Sequence, residues 1–116
     1  HPTRLGHGVR SIEDPELVKE IIDKDIILET CPTSNIATKI YEDYESHPVK
    51  TLFNQGVKVT VNSDDPPFFN ATIQGEYKVM EDLGLNENEL NSLTHNAIKY
   101  SFCDEENKSK LLSKLD

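Results

Sequence analysis

Val57-Lys58-Val59-Thr60-Val61-Asn62-Ser63-Asp64-Asp65-Pro66-Pro67-Phe68 is the stretch on which the fold turns. Val57, Val59 and Val61 alternate with more polar neighbours and β-branched residues dominate, so the segment reads as a strand. It follows Gly56 and must end by Pro66 and Pro67, which cannot donate to a ladder. Asp64 and Asp65 are therefore expected side by side where the strand leaves its sheet. Neighbouring strand residues point to opposite faces, which suits one carboxylate to a cation and the other to a hydrogen-bonding ligand. On composition alone Asp-Asp-Pro-Pro is a polar turn, and the rest of the chain has to decide.

Immediately upstream, Ser46-His47-Pro48 starts a helix carrying Val49, Leu52 and Phe53 and closed by Gly56. His47 reads as a surface residue at that helix start, and residues 39–46 as a polar surface excursion. Further back, Ile26-Ile27-Leu28-Glu29-Thr30 is a continuous apolar run that suits a parallel strand covered on both faces. Glu29 sits near its carboxyl end, where a carboxylate needs a partner; one use is to orient a nearby histidine, the other simply to face solvent. Cys31-Pro32-Thr33-Ser34-Asn35 then reads as a compact polar loop, with Cys31 a small buried thiol rather than a metal ligand. Before this strand, Asp14-Pro15 starts a helix whose Leu17, Val18, Ile21 and Ile22 form one apolar stripe. Arg4-Leu5-Gly6-His7-Gly8 precedes it, with His7 between two glycines that permit unusual backbone angles.

Downstream of Pro67 the character changes to helices alone. A helix over 70–83 carries Ile73, Tyr77 and Met80. Asn86 and Glu89 form a capping-box start for a helix with Leu90, Leu93, Ala97 and Ile98 inward. Asp104 caps a last helix bearing Leu111, Leu112 and Leu115. His95 is given no role. Three strand-like segments separated by helices imply an α/β fold with a parallel sheet.

The chain has 116 residues and a formal net charge of −9. That is the length of one ordinary domain, and the acidity argues against a nucleic-acid partner. No apolar run approaches membrane-spanning length. Cys31 and Cys103 are isolated, which fits a reducing cytoplasm. The opening His1-Pro2-Thr3-Arg4, with no initiator Met, is expected of a piece of a longer protein.

In parallel α/β folds, functional groups gather at the carboxyl ends of strands. Here three successive strand ends carry His7, Glu29 and the pair Asp64/Asp65. A histidine and three carboxylates on one rim suit a metal site with acid–base chemistry.

Arg4-Leu5-Gly6-His7-Gly8, Glu29-Thr30-Cys31-Pro32-Thr33-Ser34-Asn35 and Val61-Asn62-Ser63-Asp64-Asp65-Pro66 closely resemble three consecutive motifs of the adenosine/adenine deaminase family. The resemblance runs on through Asn96-Ala97 and Ser101-Phe102. It implies that residues 1–116 form a single partial domain, strands six to eight and the closing helices of a (β/α)8 barrel. It further implies a zinc cofactor. Asp64 resembles the zinc-ligating aspartate, and Asp65 the one that hydrogen-bonds the purine. His7 resembles the catalytic histidine that orients the attacking water and helps handle its proton, and Glu29 a supporting glutamate near it. Water adds at C6 of the purine, ammonia leaves, and a keto purine results. The cytidine-type zinc deaminases carry His-x-Glu with Pro-Cys-x-x-Cys, which Cys31-Pro32 does not match.

The family's remaining histidine ligands and its catalytic glutamate lie on earlier strands that this chain lacks. A whole barrel takes about 250 residues. The isolated piece is therefore expected to be inactive and, with an open strand edge at residues 4–7, marginal or prone to aggregate. The missing N-terminal half is a required partner. Gly6-His7-Gly8 and Glu76-Tyr77 are closer to adenosine deaminases, whereas Val61-Asn62-Ser63-Asp64 is also close to adenine deaminases. Adenosine or deoxyadenosine is the expected substrate, adenine the runner-up and an N6-substituted adenine nucleotide the third choice. From a different class, the chain would be a non-catalytic α/β binding fragment.

Overall fold

The computed structural model describes residues 1–115. Strands β1 (Arg4–Gly6), β2 (Ile27–Thr30) and β3 (Val59–Val61) form one parallel sheet in the order β1-β2-β3. Gly6 pairs with Glu29, and Thr30 with Val61, so the three carboxyl ends lie side by side at one rim. β2 is central, and Ile27 and Leu28 are wholly buried. That burial on both faces is why β2 reads as an unbroken apolar run rather than an alternation.

Between and after the strands come a 3₁₀ turn at Val9–Glu13 and seven helices among the described residues. These are α1 (Pro15–Asp23), α2 (Pro32–Ala37), α3 (Val49–Asn54), α4 (Pro66–Phe69), α5 (Ile73–Asp82), α6 (Glu87–Lys99) and α7 (Glu105–Leu112). Their starts follow local chemistry. The Asp14 carboxylate accepts the amides of Glu16 and Leu17 at 3.0 and 3.2 Å, and Pro15 follows at the first helical position. Asn86 and Glu89 cap each other reciprocally, and Asp104 accepts from the Asn107 amide at 2.8 Å. The core between sheet and helices is built from Leu28, Leu52, Val59, Met80 and Leu93, all fully buried.

The structure corrects the sequence reading at several points. Residues 32–37 are a helix, not a loop: Pro32 stands at its first position and the Asn35 amide donates to the Cys31 carbonyl at 3.0 Å. Of the α1 stripe only Val18 and Ile21 reach the core, while Leu17 and Ile22, on its flanks, are exposed. The helix expected over 70–83 begins only at Ile73, after the separate short helix α4. Asn70 adopts a left-handed conformation that ends α4, and Thr72, accepting from the Gly75 amide at 3.0 Å, starts α5. Ile73 and Ala97 are exposed rather than inward, and α7 buries none of its residues. His47 is not a surface residue; it is 3% exposed. No helix among the described residues is long and apolar enough to cross a membrane.

Candidate metal and catalytic site

His7 follows β1 directly. Its amide donates to the Glu29 carbonyl at 2.9 Å, which extends the ladder by one step. The backbone then turns away, with φ of 56° at His7 and 69° at Gly8. A left-handed non-glycine residue costs on the order of 1 kcal/mol, and such strain concentrates at functional sites. Only glycine fits at position 8, since a Cβ there would lie 2.8 Å from Cδ2 of the buried Leu28.

Asp64 repeats the device on β3, with φ of 56°. Asn62 secures the approach: its amide and its side chain both donate to the Thr30 carbonyl, at 2.9 and 3.0 Å. The strand ends at Val61, so Asp64 and Asp65 lie past the sheet in a turn. The alternation of strand faces therefore does not apply to them, contrary to the sequence reading. What separates the two carboxylates is the left-handed step at Asp64. Asp64 lines the cleft, whereas Asp65 starts α4 through its backbone carbonyl, which accepts the amides of Phe68 and Phe69.

The cleft above the strand ends has a volume of about 450 Å³ and is lined by Gly6, His7, Glu29, Cys31, Asn62, Ser63, Asp64 and Ile73. His7 Nε2 and Asp64 Oδ2 stand 3.6 Å apart across the cleft. Cys31 Sγ completes a set of potential donors that all lie within 4.8 Å of one another. The three do not fit a metal equally well. Burial, reinforced by the surrounding Asp64, Glu76, Glu29 and Asp65, pushes the Cys31 thiol up to about 12. This thiol donates to the Glu29 carbonyl, 3.7 Å away. The Asp64 carboxylate is a donor that zinc takes.

Glu29 lines the same cleft as His7, and its carboxylate turns to Arg4. Its carboxylate forms an ion pair with Arg4 Nε at 3.2 Å across the β1–β2 pair, while the Arg4 guanidinium lies 4.1 Å over the Phe102 ring. The partners of the site come from α2 instead. Ser34 Oγ donates to Asp64 Oδ2 at 2.8 Å, and the Asn35 amide faces His7 Nδ1 at 3.4 Å. Ser34→Ala leaves Asp64 without its orienting donor. We expect metal affinity of the full-length protein to fall about 10- to 100-fold, read by competition with a chelator.

Sequence reasoning missed Ser34, Asn35, His47 and Glu76. The signal for Glu76 was present: four residues before the core residue Met80, it lies on the inward stripe of α5. It is 1% exposed, and Oε2 accepts the Thr33 amide at 3.2 Å while Oε1 has no hydrogen-bond partner. Burial accordingly pushes its carboxyl above the usual range.

With this geometry in hand, likenesses to known proteins acquire meaning. The family model described as adenosine deaminase matches residues 1–116. The adenine deaminase of Rhizobium meliloti (strain 1021) is 44% identical over 115 residues, 98% of this chain and 36% of the relative. The crystal structure of adenine deaminase from Arthrobacter aurescens superposes with a TM-score of 0.94 at 29% identity, covering 99% of this chain and 36% of that one. An amidohydrolase structure from Burkhoderia ambifaria with bound Zn gives a TM-score of 0.86 at 24% identity, covering 99% of this chain and 33% of that one. The chain thus spans about a third of the length of the relatives it matches. Its parallel sheet is a portion of a (β/α)8 barrel, and the chain belongs to the adenosine deaminase family.

Proposed function

We propose that the full-length protein carrying this chain hydrolyses adenine to hypoxanthine and ammonia, with a zinc ion held in part by Asp64. The observation that carries this reading is the 3.6 Å approach of His7 Nε2 to Asp64 Oδ2 where three parallel strands end. The adenine deaminase names of similar proteins favour the free base over adenosine and deoxyadenosine, the substrates expected from the sequence. Zinc, when bound, lowers the pKa of water to about 7 and so supplies a nucleophile at neutral pH. Asp64 would hold the ion, and Ser34 holds Asp64 at a fixed angle toward the cleft. His7 stands beside Asp64, where it would orient the attacking water. Asp65, one residue further, is the group proposed to hydrogen-bond the purine ring.

A catalytic zinc takes three protein ligands, so the remaining donors belong to other strands of the barrel and the activity belongs to the full-length protein. The test is ammonia release by the zinc-loaded full-length protein from adenine, adenosine, deoxyadenosine and N6-methyl-AMP in parallel. Release from adenine at least about tenfold faster in kcat/KM than from the others is expected, a discrimination of one unpaired or excluded polar group. Faster release from a nucleoside or the nucleotide would move the substrate. No release from any of the four, with zinc verified, would overturn the reading in favour of a non-catalytic binding fragment.

A further inference from the structure

We propose that Asn35 and His47 are positioning residues that hold His7 as its Nε2–H tautomer. The direction of the whole chain of hydrogen bonds follows from one backbone amide. The Val49 N–H can only donate, and it faces His47 Nδ1 at 3.2 Å. His47 Nδ1 is therefore an acceptor, and the ring proton sits on Nε2. That Nε2–H donates to an Asn35 side-chain atom 2.9 Å away, which must be the carbonyl oxygen. The amide nitrogen of Asn35 then faces His7, and it too can only donate, so His7 Nδ1 at 3.4 Å accepts. A neutral His7 must carry its proton on Nε2, the atom that stands 3.6 Å from Asp64 Oδ2 in the cleft.

The relay is built into packed structure. Asn35 is 1% exposed and His47 3%, and the Tyr41 ring packs on His47 at 5.0 Å between centroids. The Asn35 backbone carbonyl accepts the amides of Ile40 and Tyr41, fixing the segment that covers the pair. Burial also keeps His47 neutral, pushing its pKa down to about 4. Ser34 and Asn35 are consecutive on α2, so one turn of helix orients both Asp64 and His7. His7 consequently enters the reaction as a donor at Nε2, able to hold an oxygen in the cleft, rather than as a base at that atom. The tautomer stands on hydrogen bonding alone; its effect on turnover rests on the deaminase reading above.

The experiment is long-range 1H–15N correlation on the full-length protein labelled with 15N-histidine. Both His7 and His47 are expected as Nε2–H tautomers in the wild type. Asn35→Asp presents two acceptors and no donor, so His7 is expected to gain a proton on Nδ1. His47→Phe removes the donor that orients Asn35, and the His7 signals should then average between tautomers. His47→Gln supplies an amide donor and should restore the Nε2–H form, which separates the relay from packing. In Asn35→Asp, kcat should fall on the order of tenfold with KM changed less than about twofold. A wild-type His7 protonated on Nδ1, or an unchanged His7 tautomer in folded Asn35→Asp, would overturn the proposal. Absence of ammonia release with the tautomers as expected would overturn the deaminase reading instead.

Discussion

Asp64→Asn in the full-length protein is expected to strip the metal and cut deamination more than about 100-fold without unfolding the barrel. Loss of a group hydrogen-bonded to a ligand typically costs 10- to 100-fold in metal affinity or activity, and a charged ligand contributes more than its partner. Asparagine is the right replacement because position 64 has φ of 56°. Asn tolerates this left-handed backbone, whereas alanine would add strain of about 1 kcal/mol and confuse folding with chemistry. Asn also keeps an oxygen for the Ser34 hydroxyl to bond, so α2 stays docked. What disappears is the negative charge that a dication requires. Metal content by elemental analysis and the rate of ammonia release should fall together, while the thermal midpoint of the metal-free protein stays within about 1 °C, a shift smaller than that of a 1 kcal/mol change in a whole barrel. A variant that retains stoichiometric zinc and full activity would remove Asp64 from the site.

A comparably large effect is expected on stability from acidification through His47. Burial lowers its pKa from 6.5 to about 4, so between those values the unfolded chain binds a proton that the folded chain does not. The unfolded state binds more protons, hence stability rises with pH in that window and is lost as pH falls. The contribution is fully present above about pH 7. Roughly 2 kcal/mol of it is gone by about pH 5, with the loss levelling off below the folded pKa. Glu76 works in the opposite direction: burial raises its carboxyl, so the folded form prefers the proton and its contribution improves as pH falls. The clean measurement is therefore a difference. Urea unfolding of wild type and His47→Gln across this range should show a steeper loss in wild type by about 2 kcal/mol. Parallel curves for the two proteins would mean that His47 is protonated in the fold.

Much of the architecture was legible along the chain because it rests on local chemistry. Asp14-Pro15, the Asn86/Glu89 pair and Asp104 are caps whose bonds close within three residues, and each starts its helix where the sequence places it. Val57 to Val61 and Ile26 to Thr30 are too β-branched and apolar to be anything but buried strands, although β3 itself is only three residues long. Reading Cys31 to Asn35 as a loop failed because its polar residues are turn formers by propensity. Here the Ser34 and Asn35 side chains satisfy tertiary partners instead of competing for their own backbone.

The site divides along the same line. The placing of His7 and Asp64 at one cleft could be read from sequence, since glycines and prolines mark where strands stop and polar residues past those stops face a shared rim. The partners of His7 and Asp64 could not. Ser34 lies 30 positions from Asp64, Asn35 lies 28 from His7, and Glu29 turns to Arg4. By itself the sequence determined three parallel strand ends and the chemical kinds of group they carry, because strand periodicity and turn residues act over a few residues. Only the tertiary structure decided which lone pair meets which proton. A hydrogen bond is fixed to a few tenths of an ångström and by direction, and that precision arises where α2, β1 and β3 pack together rather than within any one of them.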